Sequence, residues 1–218
     1  DNRPEKRSDK RGDSSFEKIR KRRVKQNERQ KEHENTIGYI VYFEFTHITI
    51  IDRKSNDDNA IYMKKLIFFG GTFDPPHNEH IAELKAAIEE TGAEKAIVMP
   101  TSSPPHKETF FKATDAHRLE MCRLAFGDIN GAEVSDFEIN AGGKSYSYVT
   151  LDYLKKKYPD YKILFLMGTD MLASFDKWKY PEKILSLATP LLCERTGDGE
   201  MKEMTLRRFK EKFGVEAC

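Results

Sequence analysis

Two histidines three residues apart, placed just behind a pair of glycines, are the side chains of this sequence best suited to chemistry. They lie in Gly70-Gly71-Thr72-Phe73-Asp74-Pro75-Pro76-His77-Asn78-Glu79-His80, which leads from an apolar run into a segment of helical spacing. Paired glycines let a backbone approach a phosphate closely, and a helix N-terminus adds amide donors and the positive end of its dipole. His77 and His80 share one helical face, so both imidazoles can point at the same anion. A metal site would want a third ligand, and none is spaced for it. Surface coincidence is the bland alternative for a histidine pair. The glycine turn, the Phe-Asp-Pro step and both histidines together favour phosphate chemistry.

Such a turn needs a frame, and the spacing of apolar residues supplies one. Mostly apolar or alternating runs over 64–69, 95–99, 133–139, 162–167 and 190–193 read as strands. Helical spacing over 77–91, 116–126, 147–158, 181–187 and 201–213 lies between and after them, with Gly92 as C-terminal punctuation. The alternation predicts an α/β fold, a Rossmann-like doubly wound parallel sheet of about five strands with helices on both faces. In such sheets ligands sit beyond the C-terminal ends of the strands. Three of those ends carry unusual sequence: 70–80, 99–107 and 168–178.

The segment GGTFDPPHNEH resembles the HxGH signature of the nucleotidylyltransferase superfamily, and within it the bacterial nicotinate-nucleotide adenylyltransferases. The loop PTSSPPHK (100–107), RLEMCRLA (118–125), SYSYVTLDYL (145–154) and MGTDMLASFDKW (167–178) extend the resemblance over roughly 63–192. It implies attack of the phosphate of nicotinate mononucleotide on the α-phosphorus of ATP, with Mg²⁺ carried by ATP. The products are deamido-NAD and pyrophosphate. The nucleophile is already ionised, so catalysis reduces to positioning and charge stabilisation. The resemblance implies His80 as the α-phosphate contact, with His77 beside it as the second catalytic histidine. It gives Gly70, Gly71, Thr72, Phe73 and Lys107 to the ATP phosphates. Trp178, the only tryptophan, stacks on the pyridine ring on this reading; without the GTD…W spacing it would read as an ordinary core residue. Tyr146, Ser147 and Lys179 lie around the nicotinate carboxylate, and Gly168 and Asp170 near the ribose or phosphate. Asp170 is otherwise a charge complementing a helix dipole.

The sequence departs from the family twice. Glu79 stands where the family has glycine, close enough to repel a phosphate unless it points away. The family also carries an ISSTxIR-type segment that binds the ATP phosphates, and this chain ends at Cys218 without one. The domain therefore reads as C-terminally incomplete on the triphosphate side. A relative with phosphopantetheine or nicotinamide mononucleotide as acceptor, or an inactive nucleotide-binding fragment, are the alternatives. PPHK, SYS and GTD…W count against another acceptor. No KMSK-like loop accompanies the histidine pair, against a class I aminoacyl-tRNA synthetase.

Composition bounds the rest. The 218 residues are 38% hydrophobic and 33% charged, with a mean hydropathy of -0.69. No apolar run reaches the ~18–20 residues of a membrane span. Residues 1–35 hold 13 Lys and Arg against 8 Asp and Glu, leaving 24 against 28 for the remainder. That basic arm has too few apolar residues to offset its ordering entropy and reads as a disordered extension. Its interspersed acids and the absence of aromatic residues interleaved with the Lys18–Lys25 cluster argue against nucleic acid as partner. Residues 1–62 are expected to stand outside the catalytic domain, which would run over 63–218, and Met63 reads as an initiator; the apolar stretch 37–51 reads as one or two strands or as a patch that packs on the body. Three widely spaced cysteines, none in a CxxC pair, fit a reducing cytoplasm.

Overall fold

Among the described residues, seven strands form one sheet in the order β4-β3-β2-β5-β6-β1-β7. They are β1 (Ile48–Asp52), β2 (Lys64–Gly71), β3 (Lys95–Pro100), β4 (Ala132–Val134), β5 (Tyr161–Gly168), β6 (Thr189–Cys193) and β7 (Glu216–Ala217). The structure is a computed structural model that describes residues 48–52, 64–103, 112–193, 199–214 and 216–217. All of these elements belong to one unit, Phe43–Cys218. The expected disorder of 1–35 and the loop around His106 and Lys107 lie outside the described residues.

Five neighbouring strands, β4, β3, β2, β5 and β6, pair in parallel, as the sequence predicts. β2 runs to β3 on one side, while β5 returns to pair on its other side. Strand order reverses there, and that is where such sheets leave a crevice. The helices are α1 (Asn78–Thr91), α2 (Asp115–Phe126), α3 (Phe137–Ala141), α4 (Ser147–Lys157), α5 (Thr169–Ser174), α6 (Pro181–Leu187) and α7 (Gly199–Phe213). Successive residues of β2 serve opposite layers. Leu66 and Phe68 join Ile163, Phe165, Leu151, Ile184 and Phe209 in one core. Ile67 and Phe69 join Leu164, Leu84, Cys122 and Phe126 in the other. Burial pushes the Cys122 thiol up to about 12, so it stays an inert packing group.

Two segments differ from the sequence reading. The alternating stretch 133–139 is split: Ala132–Val134 is a strand, and Phe137–Ala141 is a short helix. Local and tertiary contacts override the alternation. Ser135 Oγ accepts the Phe137 N–H at 3.3 Å, and the Phe137 ring stacks on Tyr153 with centroids 3.8 Å apart. The second difference is β1. Residues 48–52, assigned by sequence to the extension, pair antiparallel with β6 through Ile48–Cys193 and Ile50–Leu191. Ile51 is buried in the core, and the pairing covers backbone groups that an edge β6 would leave bare. Among the described residues no helix is long and apolar enough to cross a membrane.

The last long helix is tied to the site by Asp176. Its carboxylate meets Arg208 at 2.7 Å and Lys212 at 3.1 Å. The Lys212 hydrogen bond and the Arg208 charge hold that carboxyl below its ordinary range. This contribution is present above the ordinary value and is lost as pH falls through the lowered one. Phe175 packs beside it against Phe209, Phe213 and Trp178.

Ile51→Ala should cost about 2–5 kcal/mol of stability, measured by urea unfolding. An unchanged midpoint would return residues 48–52 to the extension.

Candidate active site

The turn from β2 into α1 forms one wall of the crevice. Gly70 and Gly71 are required there for space. A Cβ on Gly70 would stand 2.9 Å from Phe68 Cζ, and one on Gly71 2.9 Å from Phe73 Cζ, both on buried rings. Phe73 adopts a left-handed backbone, φ 48°. That conformation costs on the order of 1–2 kcal/mol, which its ring offsets by packing on Phe69 at 5.3 Å and Phe126 at 5.6 Å. The chain is thereby turned sharply, and His77 becomes the N-cap of α1.

The two histidines are mutually ordered. Their rings stack with centroids 3.7 Å apart, and the His77 backbone N–H donates to His80 Nδ1 at 3.2 Å. A nitrogen that accepts a hydrogen bond carries no proton, so the neutral His80 ring holds its proton on Nε2. His80 is thus set as a donor from Nε2, while Phe73 packs edge-on against its ring at 5.1 Å. Glu79 does not line the crevice. Its carboxylate lies 3.8 Å from His77 Nδ1.

Arg118 holds this turn from behind. It is fully buried on α2, donates to the Thr72 carbonyl at 2.8 Å and meets Asp115 at 2.6 Å. Asp74 holds the segment just before that helix, accepting the Lys112 and Ala113 N–H groups at 2.6 and 3.2 Å. The buried stripe of α2 is Arg118, Cys122 and Phe126 at four-residue steps; Leu119 is half-buried and Arg123 exposed.

The opposite wall comes from β5 and the starts of α4 and α5. Gly168 is the N-cap of α5, and a Cβ there would meet Asp170 Oδ1 at 2.9 Å. Helix α4 begins at Tyr146 with no side-chain cap and no acidic residue in its first turn. Tyr146 and Ser147 line the crevice, and a helix N-terminus at that place favours an anion. Lys179 Nζ lies over the Tyr146 ring at 4.6 Å and adds a cation at this end. Trp178 is half-buried, with its ring 5.3 Å from Phe175 and 6.0 Å from Phe165. Thr101 and Glu138 contribute further lining, and burial pushes the Glu138 carboxyl up against the pull of its hydroxyl partners.

These walls enclose a cavity of about 570 Å³ at the reversal of strand order. Gly70, Gly71, Thr72, Phe73, His77, His80, Tyr146, Ser147, Gly168, Asp170, Trp178 and Lys179 all line it. Lys107 lies outside the described residues. Sequence reasoning missed Asp74, Glu83, Arg118 and Glu138 as site components. Arg118 was visible as a charge in register with Cys122 and Phe126; Glu138 had no comparable signal. No group of three or more His, Cys, Asp or Glu could hold a metal ion among the described residues.

Comparison with known proteins places this arrangement among others. Residues 68–210 match the family described as cytidylyltransferase-like. A Clostridium botulinum protein named a nicotinate-nucleotide adenylyltransferase is 39% identical over 67% of this chain and 74% of its own length. An Aquifex aeolicus protein of the same name is 40% identical over 67% of this chain and 85% of its own. Two solved structures share the fold. One is a nicotinate-nucleotide adenylyltransferase from Vibrio parahaemolyticus, TM-score 0.51 at 20% identity, covering 72% of this chain and 88% of that one. The other is a nicotinic acid mononucleotide adenylyltransferase of Plasmodium falciparum complexed with NaAD, TM-score 0.50 at 17% identity, covering 67% and 83%.

Replacing Arg118 by Ala should remove about 2–4 kcal/mol of stability, from lost packing and an unmade bond to the Thr72 carbonyl. Arg118→Lys should recover only part, having a charge but no planar fork. Thermal unfolding checks both, and full recovery with Lys would contradict the brace.

Proposed function

The chain belongs to the nicotinate-nucleotide adenylyltransferases of the cytidylyltransferase-like family, and from that premise we propose that it joins nicotinate mononucleotide to the adenylyl group of ATP. One observation carries the reading. A single cavity has a phosphate turn with two ordered histidines on one wall, and a tryptophan beside an uncapped helix start on the other.

A phosphate oxygen of the mononucleotide attacks the α-phosphorus of ATP. The bond from that phosphorus to the bridging oxygen breaks, and pyrophosphate leaves with the electron pair. No proton need be removed from the nucleophile. What the protein supplies is alignment and donors aimed at the oxygens that gain charge. His80 donates from Nε2 to the α-phosphate, a role its bond to the His77 backbone prepares. His77, the amides of Gly70, Gly71 and Phe73, and Thr72 complete the phosphate surface, and Lys107 is assigned to the same phosphates. Mg²⁺ enters with ATP, as part of the substrate, and neutralises phosphate charge.

On the acceptor side, Trp178 stacks on the pyridine ring. The first amides of α4 at Tyr146 and Ser147, with Lys179, take the nicotinate carboxylate. Gly168 leaves room for the ribose, and Asp170 accepts from its hydroxyls. An anionic ring substituent suits the uncapped helix start better than a neutral amide does, which favours nicotinate over nicotinamide. Cys122 is a buried free thiol, which suits a cytoplasmic setting.

Pyrophosphate release from ATP and Mg²⁺ tests the reading, with nicotinate mononucleotide, nicotinamide mononucleotide and phosphopantetheine compared side by side. Release is expected with nicotinate mononucleotide in clear excess over the others; equal rates would contradict the acceptor. His80→Ala should lower kcat by about 10²–10³-fold with the fold intact. Trp178→Ala should weaken mononucleotide binding by about 1–3 kcal/mol, leaving ATP binding unaffected. Equal loss of both substrates would make Trp178 a core residue.

A further inference from the structure

A carboxyl group that lines the crevice is bonded to three separate pieces of chain. We propose that Glu138 is a positioning residue that holds the start of α4, and so the Tyr146 and Ser147 amides, in register with the end of β3. This rests on the reading of the α4 start as the acceptor-binding end.

Glu138 sits on the short helix α3, only 7% exposed, and lines the cavity. The Thr150 hydroxyl, on the first turn of α4, donates to Glu138 Oε1 at 2.6 Å. The hydroxyls of Ser145 and Thr101 also hydrogen-bond its carboxyl. Three separate pieces of chain therefore converge on one group: the residue after β3, the segment entering α4, and α4 itself.

The contacts continue outward from there. Ser145 Oγ accepts the Ser102 N–H at 3.0 Å, and the Ser145 N–H donates to the Ser103 carbonyl at 2.8 Å. The Thr101 N–H donates to the Gly71 carbonyl at 2.9 Å, in the phosphate turn. Tyr146 and Ser147 follow Ser145 directly in the chain. Their amides are placed by whatever fixes Ser145 on one side and Thr150 on the other, and Glu138 fixes both. Helix α4 lacks a side-chain cap, so nothing local sets its first turn. Glu138 does so from a distance of several residues, leaving the amides open to a ligand.

The acid suits this better than an apolar residue. A buried hydroxyl without an acceptor is costly, and an apolar side chain would strand three at once. Glutamine keeps one carbonyl oxygen for the same hydroxyls, and those hydroxyls can rotate to accept from its amide.

Amide hydrogen exchange on the ligand-free full chain and calorimetric binding of nicotinate mononucleotide and ATP test the proposal, using Glu138→Ala and Glu138→Gln. In Glu138→Ala, exchange at residues 145–149 should rise at least tenfold while residues 70–73 change less than twofold. Its Kd for the mononucleotide should rise tenfold or more, with that for ATP within twofold. Glu138→Gln should fall between Glu138→Ala and the unsubstituted protein in both readouts. Exchange that rises uniformly, or equal weakening of both ligands, would overturn the positioning role. So would a glutamine variant no better than alanine. Failure of the unsubstituted protein to bind the mononucleotide would instead contradict the proposed function, and the exchange measurement then decides Glu138 by itself.

Discussion

Much of the crevice depends on a guanidinium that has no access to water. Arg118 is held between Asp115, on its own helix, and the carbonyl of Thr72, in the phosphate turn. Desolvating that charge is expensive unless its bonds are made, so the turn cannot drift from α2 without stranding it. The turn has other reasons to stay where it is. Phe73 in a left-handed conformation packs against Phe69, Phe126 and the His80 ring, and the two glycines leave space for the Phe68 and Phe73 rings. The backbone of the phosphate surface is thus set by packing behind it. Its donors face the cavity already oriented, which suits catalysis by preorganised charge.

The same logic governs the other wall. The residue after β3, the α4 entry and α4 meet at Glu138, and Trp178 is fixed through Phe175 to the two phenylalanines of α7. The two walls are joined through the Thr101 N–H, which donates to the Gly71 carbonyl. They meet because β2 and β5 are adjacent at the reversal of strand order, so the sheet sets the distance between the phosphate end and the ring end. The stacked histidines show how little chain is needed for the final adjustment. One backbone N–H selects the protonated nitrogen of His80.

The parts of this account legible in the sequence were those with local signatures. Apolar runs marked β2, β3, β5 and β6, and Gly92 ended α1 in the left-handed conformation its position required. The glycine turn with His77 and His80, and Trp178 after GTD, stood out because few other settings demand those residues at those spacings. What stayed hidden was set by distant partners. Residues 137–141 alternate like a strand, yet Tyr153 and Thr150 draw Phe137 and Glu138 into a helix. Residues 48–52 look like a fragment of an extension until β6 supplies an edge for them. Arg118 is spaced with the buried Cys122 and Phe126, but the partner that explains its burial is a carbonyl 46 positions away in sequence.

The most direct test of the central claim uses the one tryptophan as its own probe. Trp178 fluorescence would be followed while nicotinate mononucleotide is added, with AMP as a control lacking the pyridine ring. Stacking on the pyridine predicts saturable quenching by the mononucleotide and little change with AMP. A protein that binds the mononucleotide by calorimetry, yet leaves the Trp178 emission unchanged, would contradict a crevice that seats the pyridine ring on this side chain.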